Sequence, residues 1–145
     1  MEKTPTFQLH PQLANDCIIL GQLELCLTLL MDNAHFPWLI LVPMKHDITE
    51  IYQLDPKDRE TLMSESSVVA QTLMEHFDGD KMNLGALGNL VPQFHLHHIV
   101  RYHNDPAWPD PVWGNASSKV YSTQETDKIS QQLQHLLGLR EYDIG

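Results

Sequence analysis

The run Gly88-Asn89-Leu90-Val91-Pro92-Gln93-Phe94-His95-Leu96-His97-His98-Ile99-Val100-Arg101 sets one amide and two imidazoles at alternate positions. Successive side chains of a strand point to opposite faces, which predicts Gln93, His95 and His97 in a row on one face and Phe94, Leu96 and His98 on the other. An imidazole titrates near neutrality, so part of it is a neutral nucleophile at cellular pH. The bond from its nitrogen to phosphorus is labile enough to hydrolyse. Such a row beside a glycine-bearing turn reads as the ordered edge of a pocket in which that nitrogen could take up a phosphorus centre. It also admits a metal site, in which His95 and His97 share an ion with His46, His103 or Asp32. No Cys-x-x-Cys or His-Glu-x-x-His accompanies them. The third reading is a solvent-facing strand in a chain that has nine histidines.

Positioning such a row takes strands on either side of it. Asp16 to Leu20 and Leu23 to Met31 are apolar, β-compatible runs, and Gly21-Gln22 between them reads as a tight hairpin. Trp38 to Pro43 makes a third strand, and Lys81 to Leu87 and Gln93 to Val100 make a fourth and fifth, joined by Gly88-Asn89. Asp55-Pro56-Lys57-Asp58 starts a helix, with an acceptor at the cap and proline at the first helical position. Leu62, Val69, Leu73 and Phe77 recur at helical spacing, and Gly79 is its predicted stop. Ser122-Thr123-Gln124-Glu125 has the capping-box pattern. It predicts a C-terminal helix over about 123–137, with Ile129, Leu133 and Leu136 as its apolar stripe and Gly138 as its end. This order favours an α+β fold: a five-stranded antiparallel sheet carrying two main helices, as a single domain over residues 1–145.

The histidine run resembles the signature of the histidine triad (HIT) superfamily, in which His-x-His-x-His follows a short Gly-Gln-x-Val-x segment. Asn89 stands where the family usually has glutamine, and Gln93 replaces the first histidine. His95 falls on the middle histidine, which is the family's nucleophile, and His97 on the third. Trp38 to His46 resembles the family's apolar strand ending in Pro-x-Lys-His. Asp32-Asn33 resembles the strand end that contacts the ribose, and Asn83 sits where many members have an asparagine near the phosphates.

The resemblance runs from about Asp16 to Arg101 and implies a HIT-like fold and a nucleotide hydrolase or nucleotidyl transferase. His95 would attack the α-phosphorus of a nucleoside phosphoramidate or dinucleoside polyphosphate. His97 would hold a phosphate oxygen, Asn83 and Asn89 would supply neutral donors, Asp32 would accept from the ribose, and His46 would form pocket wall. Gln93 keeps hydrogen-bonding capacity but cannot trade a proton near neutrality. A uridylyltransferase branch of the superfamily has glutamine at the third position instead. Loss of efficient turnover through Gln93 would leave a nucleotide-binding module. The resemblance implies no cofactor and a homodimer.

With 42% hydrophobic residues in 145, the chain has material for a real core. No apolar run approaches the ~20 residues of a membrane span, and Met1-Glu2-Lys3-Thr4-Pro5 lacks a signal-peptide core, which predicts a cytoplasmic protein. A net charge of −10, with only nine lysines and arginines, argues against an extended nucleic-acid surface. Cys17 and Cys26 read as small core residues, and His98 as a core or subunit-contact residue. Three prolines make 104–114 a loop, whose Trp108 and Trp113 are too apolar to be left in water.

Overall fold

The computed structural model describes residues 6–143. Five strands form a single antiparallel sheet: β1 (Cys17–Gln22), β2 (Cys26–Met31), β3 (Trp38–Pro43), β4 (Lys81–Gly85) and β5 (Leu96–Arg101), in the spatial order β1-β2-β3-β5-β4. Ahead of β1 is a short helix, α1 (Pro11–Asp16). The two main helices are α2 (Pro56–Phe77) and α3 (Thr123–Leu136). The expected α+β architecture is what forms.

β2 and β3 are apolar almost without interruption because both faces of the sheet are covered. Leu39, Leu41 and Val100 point to one side and pack with Leu62, Val69 and Leu73 of α2 and Leu133 of α3. Leu27, Leu29, Ile40 and Ile99 point to the other, where Leu13 of α1 and Ala107 and Val112 cover them. His98 lies on the α2 side, fully buried, with Nε2 2.7 Å from Ser66 Oγ. It is core. Both cysteines are buried, and burial pushes the Cys17 thiol up to about 12.

Local chemistry accounts for the helix ends. Asp55 Oδ1 accepts the Asp58 N–H at 2.8 Å with Pro56 at the first position, and Ser122 and Glu125 make a reciprocal capping box. Gly79 matters for space. A Cβ there would lie 2.4 Å from Val100 Cγ1, so the chain can pass this close to the sheet only without one.

Four details differ from expectation. α1 was not anticipated, although Pro11 at its first turn and His10, whose Nδ1 accepts the Gln12 N–H, are its start signals. Gly21-Gln22 is strand rather than hairpin. The β1–β2 turn falls at Leu23–Leu25, where the Glu65 carboxylate from α2 accepts the N–H groups of Leu25 and Cys26 at 2.9 and 3.0 Å. On α3, Leu137 replaces Leu136 on the buried face, and Leu136 is exposed. β4 stops at Gly85 and β5 starts at Leu96, so 86–95 is a loop rather than two strands with a tight join.

Candidate active site

Only His97 of the predicted row lies on a strand. The Phe94 N–H donates to the Ile48 carbonyl at 2.8 Å, which ties the chain to the segment after β3 and keeps the preceding residues out of the ladder. Strand alternation therefore does not reach Gln93. Its Oε1 accepts the His10 N–H at 2.8 Å and its Nε2 donates to the Gln8 carbonyl at 2.9 Å, a two-point clasp on the N-terminal segment. Gln93 lines a depression with Lys45 and His46, apart from the cavity that His95 and His97 share.

His95 and His97 do come together, with ring centroids 5.0 Å apart. His95 Nδ1 lies 2.7 Å from the Gln93 carbonyl oxygen. That oxygen only accepts, so Nδ1 bears a proton and, in the neutral ring, Nε2 carries the lone pair. His97 has the opposite tautomer. The indole N–H of Trp38 donates to its Nδ1 at 2.9 Å, and an indole nitrogen never accepts, so the proton of His97 sits on Nε2. Burial, reinforced by His95 and His98, pushes the His97 pKa down to about 3, and the ring is neutral at cellular pH.

Two tryptophans frame this pair. Trp38 stands on β3 diagonally beside His97, since Ile40 pairs with His97 and Trp38 with Ile99. Trp113 packs edge-on against His97 at 5.2 Å and Trp38 at 6.4 Å. Trp113 reaches that place because Gly85, opposite His97 on β4, has no side chain: a Cβ would lie 2.8 Å from its ring. The 104–114 loop thus supplies a wall of the site, which composition alone left open. Trp38 read from sequence only as a strand residue, and nothing in its apolar surroundings advertised the one polar atom it brings.

The cavity measures about 420 Å³, and besides the two histidines its wall is mainly apolar, including Leu13, Met31, Val91 and Trp113, with Asp16 and Asn89 as polar members. On its other side His95 borders a depression of about 440 Å³, where Arg59 and Glu50 are the charged groups. Other predicted site residues lie elsewhere. Asn83 Oδ1 accepts from Arg101 at 2.8 Å, and Asn83 lines neither of the two cavities that His95 borders. Asp32 Oδ1 takes the Tyr121 N–H at 2.9 Å, and it is Asp16, joined to Asp32 through a backbone hydrogen bond of 3.2 Å, that lines the cavity. His46 is half exposed beside Asp47. Among the described residues, no group of three or more His, Cys, Asp and Glu side chains is placed to hold a metal ion.

Residues 12–104 match the HIT domain. The chain belongs to the HIT family. A histidine triad protein from Marinobacter aquaeolei VT8 is 49% identical, with a TM-score of 0.90 over 92% of this chain and 98% of that one. One from Bradyrhizobium japonicum is 41% identical (TM-score 0.89, 92% and 99% covered), and one from Sinorhizobium meliloti 1021 is 40% identical (0.87, 90% and 96%). No curated protein matches the chain. HIT membership points to the handling of nucleotides or nucleotidyl groups at the histidine motif. No helix among the described residues is long and apolar enough to cross a membrane.

Proposed function

We propose that this HIT protein is a nucleotide hydrolase or nucleotidyl transferase that works through a covalent nucleotidyl-histidine on His95. The observation that carries this reading is the hydrogen bond from His95 Nδ1 to the Gln93 carbonyl, which leaves Nε2 as the nucleophilic nitrogen of a ring lining the cavity. The nucleoside enters the apolar side of that cavity, between Trp113 and the aliphatic wall. Its α-phosphate meets His95 and the Nε2–H of His97, a donor aimed where charge grows in the transition state, with Asn89 as a further neutral donor. Ribose hydroxyls fall to Asp16, with Asp32 behind it. The protein acts in the cytoplasm as a homodimer.

The test is to incubate the native chain and His95→Ala with a dinucleoside polyphosphate labelled at the α-phosphorus. Native protein should release labelled nucleoside monophosphate and yield an acid-labile protein adduct, and the variant should do neither. Turnover surviving in His95→Ala removes His95 as the nucleophile. Gln93 favours a second reading, because its amide is spent on the N-terminal segment and adds no third titrating group. A binding module would hold the nucleotide with no adduct in either protein.

A further inference from the structure

His97 cannot become an imidazolium without losing its contact to Trp38. A proton on Nδ1 would face the indole hydrogen across the 2.9 Å now spanned by the hydrogen bond, two donors with no acceptor between them. From Nε2 it can offer a hydrogen bond but has no proton to give up near neutrality. Other titratable groups around His95 fare no better. Both Asp16 oxygens accept from the Gln12 amide at 2.9 and 3.0 Å, the Glu50 carboxylate accepts the Gln53 N–H, and Tyr52 stands largely in solvent. Gln93 is the clasp already described.

We propose that this chain cleaves phosphoric anhydrides in preference to phosphoramidates, because Trp38 holds His97 as a neutral hydrogen-bond donor and, among the described residues, no group beside His95 is placed to protonate a leaving nitrogen. The proposal rests on His95 being the nucleophile. In the first step the His95 Nε2 lone pair bonds to the α-phosphorus of the dinucleoside polyphosphate and the bond to the bridging oxygen breaks, its electron pair leaving on the other nucleoside's terminal phosphate. That anion is stable in water and needs no proton to depart. Water then attacks the α-phosphorus, the N–P electron pair returns to Nε2, and the water proton passes to solvent. A phosphoramidate differs at one atom: its P–N pair can leave only on a nitrogen that has first been protonated. Trp38 is here a positioning residue, acting through His97.

The experiment compares a dinucleoside polyphosphate with a 5′-phosphoramidate of the same nucleoside, on native protein, Trp38→Phe, His97→Ala and His97→Gln. Native protein should cleave the phosphoramidate about 100-fold or more slowly between pH 6 and 8, the low end of what a general acid contributes. His97→Gln, whose oxygen can accept from Trp38 while its nitrogen donates, should recover much of the anhydride rate that His97→Ala loses. A true proton donor would be lost equally in both. Ring-nitrogen NMR supplies a readout independent of turnover: His97 should show the Nε2–H form throughout pH 6–8 in native protein and a mixture of tautomers in Trp38→Phe. Comparable rates on the two substrates with labelled His95, or a His97 that titrates in that range, overturns the proposal alone. Absence of any adduct with either substrate overturns the nucleophile assignment and this proposal with it.

Discussion

His95, His97 and His98 are the same residue type within four positions, yet each is fixed by different partners: a carbonyl for His95, an indole for His97, and Ser66 with the Leu96 carbonyl for His98. Burial pushes His97 and His98 down to about 3 and about 4, from 6.5 in the unfolded chain, so the fold refuses protons that the unfolded chain binds. Stability therefore falls as pH drops below 6.5, at about 1.4 kcal/mol per pH unit for each fully discriminating histidine, until the folded values are reached. The urea midpoint should drop between pH 7 and 5, and His98→Gln should remove about half of that slope; a flat profile would contradict the burial of neutral rings. The pairing of His95 with His97 was legible because sequence proximity alone brings them to one cavity. The fate of Gln93 was not, since it depends on a backbone amide 83 residues away, and neither was Trp38, whose role is one N–H on an otherwise apolar side chain.

Asp105 organises the whole connection after β5. Its carboxylate takes two hydrogen bonds from the buried Arg101 guanidinium, at 2.7 and 3.0 Å, and accepts the N–H groups of Tyr102, Ala107 and Trp108. Burial alone would raise its pKa, but Arg101 and these amides outweigh burial and hold it at about 2. Arg101 lies between the rings of Phe36 and Trp108, each 5.7 Å away, so the two loop tryptophans have separate tasks: Trp108 covers the cation and Trp113 the histidine cavity. Asp105→Ala leaves Arg101 buried without its counter-charge and should cost about 3–5 kcal/mol. Tryptophan fluorescence should shift to the red as both rings loosen, and an unshifted spectrum with unchanged stability would refute this account. The five strands and the two main helices were legible from periodicity and caps; loop anatomy was not, because prolines say where regular structure ends and not which carboxylate gathers the loop. Gly21-Gln22 misled for a related reason. Gly21, at φ +149°, accommodates the C-terminal tail, since a Cβ there would lie 2.5 Å from the Arg140 carbonyl oxygen.

Over the whole molecule, a net charge of −10 would meet the proposed nucleotide substrate, itself an anion. Long-range repulsion should slow encounter at low salt and fade as the Debye length shrinks from about 30 Å at 0.01 M to about 8 Å at 0.15 M. kcat/KM should therefore rise over that range. A fall would instead show that Arg59 and its surroundings focus a local attraction strong enough to override the global charge. Fold class and family were legible at this scale because the motif and the order of elements are both local in sequence. Closure of the sheet was not, since it comes from the far end of the chain. Arg140 exchanges hydrogen bonds of 2.8 and 3.0 Å with Gln22, and the Gln134 amide donates to the Leu20 carbonyl at 2.9 Å, so the outer margin of β1 is occupied at its C-terminal end. Among the described residues, β4 is left as the open margin. Strand addition at that margin would join two copies about a twofold axis, each spending its β4 edge on the other.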